Sequence, residues 1–226
     1  MNQERLKKEE ERLKERYAYE EELTGGCTYV FGIDEAGRGP LCGPVCAGCC
    51  LLDKSSPVLW LNDSKKLSEK RREEVYTELT DGASVCSTSM VSAKRIDEIN
   101  ILQATFEAMR SAFENCLETS LQKGVIRRES VERGDLLILT DGNRSIPGLM
   151  YPQKTVIGGD RLCPSISAAS ILAKVTRDRL MQEYALLYPE YGFEKNKGYG
   201  TAEHMEAIRT HGILPIHRRT FLKGFQ

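Results

Sequence analysis

The chain has 226 residues, with 32 Lys plus Arg against 33 Asp plus Glu and a net charge of −1. That length suits one large domain, or one domain with a small appendage. Hydrophobic residues make up 40%, enough for a sizeable core. No apolar run approaches the ~20 residues a membrane helix needs, and near-neutrality confines any basic surface to a local patch.

Residues 1–23 are rich in Glu and Lys and predict a solvent-exposed helix packed lightly on the body. This stretch lacks the apolar core of a secretory signal, so a cytoplasmic location and no membrane association are expected. Gly25-Gly26 should end the helix. Residues 28–33 predict a strand and 43–52 a second apolar run, and the glycine-rich turn between them suits an antiparallel pair. Four of the eight cysteines (Cys42, Cys46, Cys49, Cys50) crowd that second run. They read as small buried hydrophobes. A zinc site lacks partners, because His204, His211 and His217 lie far away in sequence and no second cysteine pair completes a set. Reduced thiols fit a cytosol.

Ser68 is placed to cap a helix after Asp63-Ser64-Lys65-Lys66-Leu67. Residues 83–91 predict a third strand. Residues 96–117 predict one helix, with Ile99, Leu102, Phe106, Met109 and Phe113 spaced by three and four. A short apolar strand at 136–140 halts at Asp141-Gly142-Asn143, and another at 154–157 halts at Gly158-Gly159-Asp160. Residues 165–187 predict a long helix, with Leu172, Thr176, Leu180, Tyr184 and Leu187 inward and Lys174 and Arg177 on other faces. Glycines and aromatics then precede a last helix at 201–210 and a basic tail, His217-Arg218-Arg219. The pattern describes an α/β protein with a mixed sheet. Residues 1–24 would be an extension, 25–188 the body, and 189–226 a small helical subdomain.

The stretch from Gly32 to Pro40 carries the most chemistry. Asp34 and Glu35 end an apolar strand and run into Gly37-Arg38-Gly39. Carboxylates near a core cost free energy unless a cation neutralises them, and glycines let the backbone approach a ligand. Asp141 and Asp160 also follow apolar strands. If those strands are neighbours, four acids converge on one sheet edge. Carboxylate oxygens suit Mg²⁺ or Mn²⁺, and two such ions ~4 Å apart can activate water and stabilise the leaving oxygen of a phosphodiester. A simple turn role competes for Asp141, which precedes Gly-Asn. In a regular strand Asp34 and Glu35 point to opposite faces, so either the chain bends or only one of them faces the metals.

The glycine loop is not a dinucleotide fingerprint: Cys42 stands where the third glycine belongs, and a strand follows. Nor is it a Walker loop, which requires Gly-Lys-Ser/Thr. It reads as a set of backbone N–H donors gripping a phosphate group.

Asp34-Glu35-Ala36-Gly37-Arg38-Gly39-Pro40, Asp63-Ser64-Lys65-Lys66-Leu67, Asp141-Gly142-Asn143, the run Ser165 to Asp178, Lys197-Gly198-Tyr199-Gly200-Thr201 and His217-Arg218-Arg219-Thr220-Phe221 together resemble bacterial ribonuclease HII. The match runs in order from about residue 28 to 222. The resemblance implies an RNase H-like fold, a five-stranded mixed sheet flanked by helices with a small helical C-terminal subdomain. It implies a metal-dependent endonuclease that cuts the RNA strand of RNA–DNA hybrids. It further implies incision 5′ to a single ribonucleotide in duplex DNA, leaving a 3′-hydroxyl and a 5′-phosphate. On this resemblance Asp34, Glu35, Asp141 and Asp160 are the metal-binding and catalytic acids. Gly37, Arg38, Gly39 and Tyr199 sense the ribose, whose 2′-OH distinguishes RNA from DNA.

Lys65, Lys66, Arg144, Ser167 and Lys174 are candidate phosphate contacts, which position a duplex without reading its sequence. One departure stands out: the family usually has Lys-Gly-Asp where this chain has Gly158-Gly159-Asp160, so a cation near the fourth acid is missing and Lys154 or Arg161 is the candidate replacement. Asp178, between Arg177 and Arg179, reads as a salt-bridge residue. Two rivals stand beside this reading. One is a catalytically inert nucleic-acid-binding module on the same fold. The other is ribonuclease HIII, whose loop is typically Gly-Lys-Gly. A monomer is expected, and the chain shows no clear motif for a sliding clamp.

Overall fold

The structure is a computed structural model that describes residues 3–224. Five strands form one sheet in the order β3-β2-β1-β4-β5. They are β1 (Tyr29–Ala36), β2 (Val45–Leu51), β3 (Val85–Val91), β4 (Leu136–Asp141) and β5 (Gln153–Val156). The first three form an antiparallel meander, whereas β4 runs parallel to both β1 and β5. The mixed sheet is therefore as expected, as is the antiparallel pairing across the glycine loop.

Helices cover both faces. Helix α4 (Ile101–Gln122) packs Phe106, Met109, Phe113 and Cys116 onto Phe31, Ile33, Val45 and Ile138. Helix α7 (Pro164–Leu187) lies on the other face. Its approach is unusually close: a Cβ at Gly32 would lie 2.1 Å from the Ser165 carbonyl carbon, and one at Gly48 would lie 2.3 Å from the Ala169 carbonyl oxygen. Glycine in the strands and Ser/Ala in the helix are what such contact requires. Helix α2 (Glu69–Asp81) packs Val75 and Leu79 against α7, and Ser68 caps it by accepting from Arg71 N–H.

The structure corrects four expectations. The segment 96–117 is not one helix. Helix α3 (Ala93–Ile99) stops at Asn100, whose φ is 67°, and α4 starts there. The Asn100 side chain accepts from Leu102 and Gln103 N–H at 3.0 and 3.2 Å. A local amide competes with helix continuation and favours a cap, and apolar periodicity does not register it. Second, α7 is buried nearly all round in its first half. Arg177 is 1% exposed, while the supposedly inward Leu187 is 68% exposed.

Third, α1 (Gln3–Thr24) is not a lightly packed solvated helix. Glu9, Leu13, Arg16, Glu20 and Thr24 form a buried stripe at spacings of three and four. Arg16 donates to the Leu61 carbonyl (2.5 Å) and to Ser167 Oγ. Glu20 accepts from Ser165 N–H (3.0 Å) and Oγ–H (2.7 Å), and Glu9 accepts from Trp60 N–H (2.9 Å). The stripe is mostly charged, so it docks by hydrogen bonds rather than by apolar area.

Fourth, sequence distance does not keep cysteine and histidine apart. Cys42, His204 and His217 meet as one buried group. Leu214 N–H donates to His217 Nδ1 (2.9 Å), which places the His217 proton on Nε2. That proton is shared with His204 Nε2 (3.0 Å), and His204 Nδ1–H donates to the Tyr199 carbonyl (2.9 Å). All four ring nitrogens are thereby used in a neutral pair. The surrounding segment adds α8 (Phe193–Asn196) and α9 (Ala202–His211), which join Cys42 and Met181 in a small core with Tyr191, Phe193, Ile208 and Leu222. All eight cysteines are free, and Cys42, Cys46, Cys49 and Cys50 are buried.

Candidate active site

Parallel pairing of β1 with β4 sets Ile33 opposite Thr140, so the next residues, Asp34 and Asp141, stand at the carboxyl end of β4, while β1 runs on to Ala36 against β2 alone. In parallel sheets this carboxyl edge is where ligands bind. Asp160 arrives from β5 through the short helix α6 (Gly159–Leu162). Gly159 N–H donates to Asp141 Oδ1 at 2.7 Å, which ties the third acid to the segment carrying the fourth.

Asp141 lies within electrostatic reach of each of the other three acids. Burial raises the Asp34 carboxyl well above its usual range, and Glu35 and Asp141 add to that. Glu35 is raised by burial and by Asp141, against the pull of Arg38. Asp160 is raised by burial, Asp63 and Asp141. Asp141 thus acts on each of the other three. Like charges this close disfavour joint ionisation. No ion pair to Asp34 exists among the described residues, and only Arg38 reaches Glu35, at 3.2 Å.

The adjacent pair divides across the strand end. Asp34 accepts from Glu35 N–H at 2.7 Å, and Ser170 of α7, whose Oγ lies 3.0 Å from Ser64 Oγ, draws its carboxyl down against the effect of burial. Glu35 lines a cleft of about 250 Å³ against Leu102, Phe106 and Met109 of α4, together with Asp141, Asn143 and Arg144.

A second cleft, of about 460 Å³, runs from Glu35 along Gly37, Arg38 and Gly39 to Tyr199, with Lys65, Arg72, Lys174 and Arg177 on its walls. A Cβ at Gly39 would sit 3.5 Å from the Tyr199 ring, and the ring is half exposed. The loop and Tyr199 are 160 positions apart, yet they border one space.

Not every candidate phosphate contact belongs here. Ser167 is fully buried: its hydroxyl donates to the Asp160 carbonyl (2.6 Å) and accepts from Arg16, so it cannot reach a duplex. Lys66 is exposed outside both clefts. Lys174 lines the larger cleft but is held at 2.6 Å by Asp178, which pairs with it rather than with Arg177 or Arg179. Lys154 donates to the Leu23 carbonyl and does not replace the missing cation; Arg161 stands 4.0 Å from Asp160.

Sequence reasoning missed Ser64, Ser170, Asp63 and the two buried arginines Arg177 and Arg218. Ser170 sits within a small-residue run that looks like packing, and Ser64 sits between charged residues that draw attention to themselves. Buried arginines carry no periodic signal.

A mixed sheet with a cluster of acids at its carboxyl edge, beside a glycine turn and basic walls, defines an endonuclease of the ribonuclease H type. Comparison with known proteins narrows the class. Residues 31–223 match the ribonuclease HII family. Ribonuclease HII of Endomicrobium trichonymphae is 51% identical over 192 residues, covering 85% of this chain and 84% of that protein. Ribonuclease HII of Clostridioides difficile is 45% identical over 220 residues, covering 97% and 80%. Among solved structures, ribonuclease H2 from Pyrococcus horikoshii superposes with a TM-score of 0.63 at 28% identity, over 85% of this chain and 93% of that one. The chain belongs to the ribonuclease HII family. It is a type HII ribonuclease H, a hydrolase that acts on RNA–DNA hybrids.

Proposed function

We propose that Asp34, Glu35, Asp141 and Asp160 hold divalent cations, Mg²⁺ or Mn²⁺, and that the enzyme incises DNA duplexes 5′ to a single embedded ribonucleotide. The observation that carries this is the buried Asp34 carboxylate, set near Glu35 and Asp141 with no cationic side chain paired to it among the described residues. An all-oxygen donor set of this kind suits hard cations. A fold neighbour, ribonuclease HIII from Bst, has been solved in complex with Mn²⁺; at 13% identity it supports the shared fold only.

Bound cations would offset the acids, make water a competent nucleophile and stabilise the leaving 3′-oxygen. The chain's own residues do the rest. Gly37 and Gly39 offer backbone N–H groups to the 2′-hydroxyl and adjoining phosphate. Tyr199 packs on the sugar across the same cleft and senses the junction from ribose to deoxyribose. Lys65, Arg38 and Lys174 orient the backbone on that side, and Arg144 does so from the smaller cleft. In-line attack needs no covalent intermediate. The buried Cys42 and Cys46 thiols, pushed up to about 12 by burial, are poor nucleophiles.

The test is a labelled DNA duplex with one ribonucleotide, incubated with Mg²⁺, Mn²⁺ or EDTA. Incision at the 5′ side of the ribonucleotide is expected with metal and none with EDTA. Cleavage of a continuous hybrid without incision of this duplex would favour ribonuclease HIII-like behaviour. Metal-independent binding without scission would leave only a binding module.

A further inference from the structure

Two guanidinium groups lie buried behind the glycine loop, and neither has a carboxylate partner. Arg177 is 1% exposed and Arg218 is 0% exposed. Among the described residues no ion pair involves either. Asp178, beside Arg177, is taken by Lys174. Asp97, near Arg218, accepts from Arg219 and Thr220 N–H. Burying an unpaired charge is costly, so this placement has to be offset by hydrogen bonds.

It is offset by six backbone carbonyls. Arg218 donates from Nε to Gly43 (3.0 Å), from Nη1 to Arg38 (2.8 Å) and from Nη2 to Gly37 (2.6 Å). Arg177 donates from Nε to Pro44 (3.0 Å), from Nη2 to Cys42 (3.1 Å) and from Nη1 to Lys197 (3.0 Å). Five of these carbonyls belong to the loop between β1 and β2. The sixth belongs to Lys197, two residues before Tyr199. A planar fork of this kind holds several acceptors in fixed relation, which a lysine ammonium does not.

Gly37 shows how tightly the parts fit. Its φ is +89°, and a Cβ there would lie 2.0 Å from Arg177 Nε. With the Gly37 and Arg38 carbonyls drawn inward to Arg218, the amides from Gly37 to Gly39 remain for the cleft, whereas Leu41 and Gly43 N–H donate to the Gly198 and Ile216 carbonyls. Arg177 also spans the cleft floor, because one guanidinium bonds both the loop and the turn that carries Tyr199. The backbone bond from Leu41 N–H to the Gly198 carbonyl (2.8 Å) closes the same link.

We propose that Arg177 and Arg218 are specificity-determining positioning residues: Arg218 sets the loop's donors outward, and Arg177 fixes the gap between the loop and Tyr199 into which a ribose fits. This rests on the ribose-reading role proposed above for the loop and Tyr199.

The experiment compares kcat/KM on a DNA duplex holding one ribonucleotide with kcat/KM on a continuous RNA–DNA hybrid. Wild type, Arg177→Met, Arg177→Lys and Arg218→Lys are each checked for folding by circular dichroism and for Mn²⁺ affinity. The expected result is a single-ribonucleotide to hybrid ratio lowered about 10-fold in the Arg177 and Arg218 variants, the scale of one or two lost buried hydrogen bonds. The loss falls mainly in kcat, with Mn²⁺ affinity retained. If Arg177→Met does not fold, the two lysine variants, which keep the buried charge, decide the matter. A native ratio in folded lysine variants overturns the role given to the arginines and leaves the ribose reading standing. Failure of the wild type to incise the single-ribonucleotide duplex overturns the ribose reading itself.

Discussion

Arg16 and Ser167 are 151 positions apart, yet the Arg16 guanidinium donates to the Ser167 hydroxyl, which in turn donates to the backbone carbonyl of Asp160. The N-terminal helix is thereby a brace for the segment that carries the fourth acid. Glu20 strengthens it by capping Ser165 at the start of α7.

Arg16→Met should therefore lower stability by about 1–3 kcal/mol, the range for a buried polar group losing its partner. Mn²⁺ affinity should fall as well, because Asp160 is held less firmly. Urea unfolding and a Mn²⁺ titration check both. An unchanged urea midpoint would show that the brace carries no load.

Asp34→Asn should have opposite effects on stability and activity. A carboxyl whose folded pKa lies above its unfolded 3.8 favours the fold while protonated, and that advantage is lost as pH rises through the folded value. Well above pH 3.8, without metal, that carboxyl is a liability, because the unfolded chain ionises it freely and the fold does not. The asparagine variant should then melt a few degrees higher, at roughly 2–4 °C per kcal/mol for a chain of this size. Mn²⁺ should no longer raise its melting temperature. Cleavage should drop more than about 100-fold, since even outer partners of metal ligands are worth ~10–100-fold. Calorimetry with and without Mn²⁺, together with the cleavage assay, decides it.

Tyr199→Ala should reduce incision at a single ribonucleotide relative to a continuous hybrid by about 10-fold or more, in line with ~1–3 kcal/mol for aromatic packing on a nucleotide. Retained selectivity would refute the role assigned to the ring.

Lys65 and Ser167 separate a surface contact from a buried one. Lys65→Ala should weaken duplex binding and reduce the salt slope by about 1, as for one lost phosphate contact. Ser167→Ala should lower the melting temperature and leave the salt slope unchanged. Fluorescence anisotropy across a salt series distinguishes them.

Stability should also fall in mild acid through His217. Burial and neighbouring His204 depress its pKa from 6.5 to about 4. The fold keeps the neutral pair's contribution above pH 6.5 and loses it as pH falls toward 4. His217→Phe should flatten the dependence of melting temperature on pH between those limits; an equally steep profile would assign the acid sensitivity elsewhere.

Strand-forming runs and the residues that end them were legible along the chain. The apolar segments stopping at Asp34 and Asp141 and the Gly-Arg-Gly turn are local patterns, each with its own physical cause. They sufficed for a mixed α/β sheet and for the acids at the ends of β1 and β4; Asp160, expected to follow a strand directly, lies instead in the short helix α6. What the chain alone could not supply was partnership at long range. The parallel register of β1 with β4 puts Asp34 beside Asp141. The docking of a charged helix on Ser165 and Ser167 turns an apparently solvated segment into a brace. The meeting of Cys42 with two distant histidines, and the two arginines forked onto loop carbonyls, arise only once the layers are assembled. Periodicity reports which faces are apolar; hydrogen bonds between buried polar groups depend on geometry that no local pattern encodes.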